Sequence, residues 1–160
     1  MNILLFRYGS ICEPDIIETF QKFSFTVDEI TEFKENKNLS DSDCIELVSR
    51  RILTKEYAFV FTINFFPWLS HLCNIKHIPY LCLTVDSPVI ELYNGAIKNP
   101  YNRIFIFDQL SIWIFMNRIQ IIFIIFLLPQ MSHVQINYLK QHLRILRKNT
   151  GAIFLLSVRI

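Results

Sequence analysis

The residues of this chain that could contact a ligand are polar residues that follow short apolar runs. Asn64 comes directly after one such run, and Asp86 follows the next run along the chain. Open α/β sheets bind small molecules at the carboxyl ends of their strands, where carboxylate, amide and hydroxyl groups can meet a ligand. The candidate substrate-binding residues predicted in this way are Gly9, Ser10, Asn64, Asp86 and Ser87, and Asp108 follows the last run in the same manner.

Each candidate also has a structural interpretation, which the sequence leaves open. Gly9 can be a turn glycine, Asp86 or Ser87 can cap a helix, and Asn64 can bond the backbone of its own loop. The sequence assigns a catalytic role to no residue, because no Ser, His and acid arrangement can be placed without a fold.

Motifs of better-defined chemistry do not occur in the sequence. Gly9 stands alone, so the G-x-G-x-x-G fingerprint of dinucleotide binding is missing, and there is no phosphate-binding G-x-x-x-x-G-K-[ST] loop. No metal site is predicted from His71, Cys73, His77 and Cys82, because they fall on a predicted helix, a loop and a strand. We therefore expect no cofactor and no metal.

Two groups of residues that could suggest nucleic-acid binding receive other interpretations. Arg50, Arg51 and the bases near the C-terminus do not alternate with aromatic residues as a nucleic-acid surface would. We expect no nucleic-acid partner. The aromatic residues of the first part are interpreted as core: Phe59, Phe61, Phe65, Phe66 and Trp68.

The elements that must position the candidates alternate between strand and helix. Strands are predicted at residues 3–8, 25–30, 58–63, 80–85 and 103–107, where apolar and β-branched residues are concentrated. Helices are predicted to begin at Pro14, Pro67 and Pro88, and a Ser-x-x-Asp capping box at Ser40 predicts one more. The alternation predicts an α/β fold: a Rossmann-like doubly wound parallel sheet of about five strands, with strand 3–8 central and helices on both faces.

Charge divides the chain into two parts. The chain has 160 residues, and all 14 acidic residues lie between Glu13 and Asp108. The first 108 residues therefore carry a net charge of 10 − 14 = −4, whereas the last 52 carry six bases and no acid.

The cysteines and the N-terminal residues bear on the cellular compartment. The four cysteines form no C-x-x-C pair, and the apolar start is interrupted by Arg7 without a cleavage site. These features predict a reduced, cytoplasmic protein.

The first 109 residues resemble a known family of bacterial enzymes. The stretches NILLFRYGSICEPDIIETF, YAFVFTINFFPWLS, IPYLCLTVDSPVIELY and KNPYNRIFIFDQ are similar, in this order, to the N-terminal domain of CgeB-like glycosyltransferases of the spore-maturation, group 1 type. The resemblance implies the N-terminal half of a GT-B fold, in which two Rossmann-like domains face each other across a cleft. The missing C-terminal domain would largely hold the nucleotide-sugar donor, and the present domain would shape the acceptor side. The family pattern includes the five candidate positions and gives none of them a settled role.

Residues 110–160 do not continue that pattern. Residues 119–128 are apolar except for Gln120, but ten residues are too few to span a membrane, so no stable span is expected. Possible codons for residues 127–134, for the Ile and Phe residues just before them and for residues 151–159 can be read in a shifted frame. This reading permits strings similar to the family's next segments, NIYYLPLATNV and DISFVGS. We therefore predict an aberrant, frame-shifted tail without an independent domain, which from Ser111 onward packs poorly on the first domain.

Three functional hypotheses follow. The first is a truncated acceptor-side domain of a nucleotide-sugar-dependent glycosyltransferase, inactive alone, whose full-length relatives bind a nucleotide-sugar and an acceptor. The alternative is a stand-alone flavodoxin-like α/β binding or regulatory module. The third is a small protein tethered to a membrane through residues 112–128.

Overall fold

The strands of the protein form one parallel sheet. A computed structural model describes residues 1–106 in full and, beyond them, the backbone of two strands at 122–126 and 155–157. The strands are β1 (Asn2–Phe6), β2 (Thr26–Ile30), β3 (Val60–Ile63), β4 (Tyr80–Leu83), β5 (Asn102–Ile106), β6 (Ile122–Phe126) and β7 (Leu155–Ser157). Every neighbouring pair is parallel. The predicted α/β, Rossmann-like fold class is confirmed.

The strand order is β2-β1-β3-β4-β5-β6-β7. The prediction that the first strand is central is wrong, because β1 lies between β2 and β3, and β3 is the middle of the first five strands. Chain order alone does not fix which side of β1 the third strand joins. The order 2-1-3-4-5 is that of flavodoxin-like doubly wound sheets, and it reverses direction between β1 and β3.

Within residues 1–106, four α-helices lie between the strands: α1 (Glu13–Lys22), α2 (Glu32–Glu35), α3 (Asp41–Thr54) and α4 (Pro67–Lys76). The predicted capping box of α3 is confirmed, since Asp43 N donates to Ser40 Oγ at 3.2 Å and Ser40 N donates to the Asp43 carboxylate at 2.9 Å. The short α2 is not among the helices that the sequence predicts.

The segment after Pro88 is not the predicted α-helix. It forms two 3₁₀ helices, Ile90–Tyr93 and Gly95–Lys98. Asn94 has an extended backbone between them, and its side chain accepts a hydrogen bond from Ala96 N at 2.9 Å. This cap starts a new turn at Gly95, a poor helix former, and so prevents one continuous helix.

Alternate residues of the strands face opposite sides of the sheet. Leu4 and Phe6 belong to a core cluster with residues of α3 and α4, whereas Leu5 packs in a second cluster on the side of α1. Helices therefore cover both faces in the described part of the chain, as predicted. Three of the four cysteines are buried, and burial raises the pKa of Cys73 to about 12.

The C-terminal segment contributes two strands to the sheet. β6 pairs with β5 through Ile104 and Ile122, and β7 pairs with β6. Apart from these strands, the predicted tail, Asp108 and most of the membrane candidate at 112–128 lie outside the described residues. None of the helices that the structure describes has the length and hydrophobicity of a membrane span.

Candidate ligand-binding cleft

A cleft of about 640 Å³ opens at the carboxyl ends of β1, β3 and β4. Tyr8 follows β1, Asn64 follows β3, and Asp86 follows β4, and all three line it. The cleft lies beside the β1/β3 reversal, where doubly wound sheets bind ligands. The structure therefore brings together two of the residues that the sequence singled out, Asn64 and Asp86.

Asn64 connects the ends of these strands. Its Nδ2 donates to the Tyr8 hydroxyl at 3.0 Å and to the Asp86 carboxylate. Its Oδ1 accepts from Val85 N at 3.0 Å, and its own backbone N donates to the Leu83 carbonyl at 2.8 Å. The backbone of Asn64 is left-handed, with φ of 58°, a conformation that asparagine tolerates better than most residues. Because these polar groups are committed to protein partners, Asn64 acts as a positioning residue.

Tyr8 is a cleft residue that the sequence did not single out. Burial raises the pKa of its hydroxyl, the charges of Asp86 and Glu13 act in the same direction, and a hydrogen bond with Ser10 opposes them. The hydroxyl therefore stays protonated at neutral pH. The rings of Tyr8 and Phe66 pack edge to face, with centroids 5.9 Å apart.

Aromatic side chains form one wall of the cleft. Phe33, Phe66 and Trp68 line it, and the rings of Phe66 and Trp68 have centroids 6.0 Å apart. Phe66 and Trp68 are half-buried, unlike the fully buried Phe65. Their interpretation as core is therefore incomplete: they pack against Phe6 and also present ring surface to the cleft.

The charges in the cleft are negative. Asp41, Asp86 and Glu91 contribute carboxylates, and none of the described residues that line the cleft is Lys, Arg or His. The ammonium group of Lys37 lies 4.8 Å from the centre of the Phe33 ring and 5.4 Å from the centre of the Tyr8 ring, so one cation lies beside two residues that line the cleft. Such a lining repels phosphate and suits hydroxyl-rich or positively charged ligands.

The other three candidates, Gly9, Ser10 and Ser87, are not among the residues that line the cleft. Gly9 and Ser10 belong to the loop between β1 and α1, and their backbone N–H groups bond to Glu13. Gly9 has a φ of 98°, and a Cβ there would meet Lys34 Cγ at 3.3 Å, so the loop requires glycine. Ser87 is exposed and precedes Pro88 through a cis peptide bond, and it is not among the residues that line the cleft.

Within the described residues, no three metal-ligating side chains lie together. Comparisons of the chain with protein-family models, with curated proteins and with solved structures find no match. The resemblance to CgeB-like glycosyltransferases therefore stays a prediction.

Proposed function

We propose that this chain is the acceptor-side domain of a nucleotide-sugar-dependent glycosyltransferase and has no transfer activity by itself. The observation that carries the proposal is the composition of the cleft at the strand ends. The residues that line it combine aromatic rings with carboxylate and hydroxyl side chains. This combination suits a ring that has one apolar face and several hydroxyl groups, as a sugar has.

Each polar group has a definite part in this proposal. The exposed Asp86 carboxylate accepts hydrogen bonds from acceptor hydroxyls, and charge-assisted bonds of this type are strong and directional. Asn64 fixes the position of Asp86 and Tyr8 and does not contact the ligand through its own committed amide. Trp68 offers its ring to the apolar face of the sugar.

Sugar transfer requires a second domain on the other side of the cleft. The acceptor oxygen must form a bond to the anomeric carbon of the sugar while the bond from that carbon to the nucleoside diphosphate breaks. The nucleoside diphosphate leaves, and the proton of the acceptor hydroxyl is released to solvent. Holding both reactants in line can supply about 7–11 kcal/mol of the barrier. The acidic cleft described here lacks the cationic lining that would hold a diphosphate, so a facing domain would provide those contacts.

A second function, a stand-alone flavodoxin-like binding module, is favoured by the strand order. Flavodoxin-like sheets of order 2-1-3-4-5 bind the flavin phosphate at the β1/β3 reversal. In this chain the carboxylates of the cleft oppose a phosphate at that position. Saturable binding of flavin mononucleotide by the purified chain would favour this second function.

The nucleotide sequence of the gene tests the two-domain proposal first. If the proposal is correct, shifting the frame by one base after about codon 110 opens a frame that encodes a second Rossmann-like domain. The frame-restored protein should then transfer a sugar, or hydrolyse the donor, when it is supplied with a panel of nucleotide-sugars. The 160-residue chain should do neither.

Asp86→Ala in the frame-restored protein tests the assigned residue. Turnover should fall while the thermal unfolding temperature stays unchanged, because Asp86 is exposed. Loss of stability without loss of turnover would give Asp86 a structural role only. Measurable transfer by the 160-residue chain would contradict the proposal as a whole.

A further inference from the structure

The loop between β1 and α1 forms a cradle of backbone N–H groups. Tyr8 N, Gly9 N and Ser10 N donate to a single oxygen, Oε1 of Glu13, at 2.9, 2.8 and 3.2 Å. Successive N–H groups that converge at the start of a helix are an arrangement that binds phosphate and other anions. In this chain the anion in the cradle is the protein's own carboxylate.

The second oxygen of that carboxylate is also occupied. Glu13 Oε2 accepts from Arg7 Nε at 2.9 Å, and Arg7 Nη1 donates to Glu29 at 2.6 Å. The Glu13 side chain is 1% exposed and that of Arg7 is 14% exposed. A ligand anion could reach these donors only by displacing a buried carboxylate that also repels it.

The cradle is continuous with the cleft through one residue. Tyr8 gives its backbone N–H to Glu13, and its hydroxyl lines the cleft, where it accepts a hydrogen bond from Asn64. Doubly wound sheets use the loop after the first strand for the phosphate of a nucleotide or flavin. Here the Glu13 carboxylate fills that position, and three carboxylates line the cleft beside it.

We propose that Glu13 is a specificity-determining residue: its carboxylate fills the anion position of the first crossover and excludes phosphate-bearing ligands there. The ligand that enters the neighbouring cleft is then one without a phosphate at this end. The identity of that ligand rests on the proposed function, whereas the occupied cradle does not depend on it. Removing the carboxylate should therefore turn the loop into a site for a free anion.

The test replaces Glu13 by alanine and supplies anions from solution. Glu18→Ala is the matched control, because Glu18 lies on the same helix, loses the same charge and is largely exposed. Thermal unfolding of the three proteins is followed by circular dichroism in chloride, formate, acetate and inorganic phosphate at equal ionic strength. General effects of each salt are removed by comparison with the wild-type chain in the same buffer.

Glu13→Ala should unfold at a lower temperature than the wild type in chloride. Formate, acetate or phosphate at ten times its dissociation constant should then raise the unfolding temperature of this variant by about 5 °C. The wild type and Glu18→Ala should show no such specific rise. If Glu13→Ala is unfolded in chloride, the same anions should restore its folded spectrum.

Glu13→Gln tests whether an anion is excluded because a side chain fills the cradle or because that side chain is negatively charged. Its amide oxygen can still accept from the three N–H groups, while its NH₂ group meets Arg7, so we expect a lowered unfolding temperature and no response to anions. A Glu13→Ala variant that gains nothing from any of the three anions would overturn the proposal. So would a wild-type chain or a Glu13→Gln variant that phosphate stabilises as strongly as it stabilises Glu13→Ala. None of these measurements uses a sugar, so a failure of the proposed function is seen separately.

Discussion

Replacing Asn64 by alanine removes the side chain that joins the ends of β1, β3 and β4. The substitution deletes hydrogen bonds to the Tyr8 hydroxyl, to Val85 N and to the Asp86 carboxylate. It also places alanine at a φ of 58°, where alanine has the steric cost of a Cβ and lacks the side-chain amide that stabilises asparagine there. We expect a clear loss of stability with the fold retained.

The magnitude follows from these contacts. The unpaired Val85 N–H, which is half-buried, costs about 1 kcal/mol, and the lost bond to Tyr8 costs about the same. The bond to the exposed Asp86 contributes little in water. Alanine in the left-handed region adds about 1 kcal/mol, which glycine would not. The expected costs in free energy of unfolding are therefore about 3 kcal/mol for Asn64→Ala and about 2 kcal/mol for Asn64→Gly.

Urea denaturation followed by circular dichroism measures both differences. Asn38→Ala is the control, because Asn38 is exposed and should change the free energy of unfolding by less than about 0.5 kcal/mol. A cost below about 1 kcal/mol for Asn64→Ala would refute the positioning role of the amide. Equal costs for alanine and glycine would refute the contribution assigned to the backbone conformation.

Two further predictions concern titration and thiol chemistry. Burial opposes ionisation of Asp28, but the Tyr57 hydroxyl at 2.6 Å and nearby cations outweigh it and lower the pKa of Asp28. The ionised Asp28 therefore stabilises the fold above its ordinary pKa of 3.8, and this stabilisation is lost as the pH falls through the lowered pKa. Asp28→Asn should make the free energy of unfolding in urea depend less on pH below about pH 5. An unchanged pH dependence would contradict this prediction. In native protein a disulfide reagent should label one thiol, the half-buried Cys12, and unfolding should add three more: Cys44, Cys73 and Cys82. Native labelling of two or more thiols at the rate of Cys12 would contradict their burial.

Features that depend on neighbouring residues could be predicted from the sequence. The Ser40 capping box and the helix that begins at Pro67 involve contacts within a few residues. The segment after Pro88 could not be predicted as easily, since a single side-chain cap at Asn94 divides it. Strand order also stayed open, because it depends on which side of β1 the chain returns to.

The cleft residues likewise divide into those that the local sequence predicts and those that depend on contacts formed only in the fold. Asn64 and Asp86 could be predicted from their places after apolar runs. Tyr8 could not, because the apolar run continues through it whereas β1 ends at Phe6. The role of Glu13 could not be predicted either, because its contact with three backbone N–H groups depends on the loop conformation, which includes the positive φ of Gly9.

The central claim is that the cleft binds a hydroxyl-rich ligand without a phosphate, and tryptophan fluorescence tests it most directly. Trp68 and Trp113 are the two tryptophans of the chain, so Trp113→Phe leaves the cleft residue as the only tryptophan, which is excited selectively at long wavelength. Titration of this variant with neutral sugars and amino sugars should change the emission saturably, and Asp86→Ala in the same background should abolish the change. Flavin mononucleotide and nucleotides should leave the emission unchanged after correction for their absorbance. Saturation by a phosphate-bearing ligand, with no response to any sugar, would contradict the account.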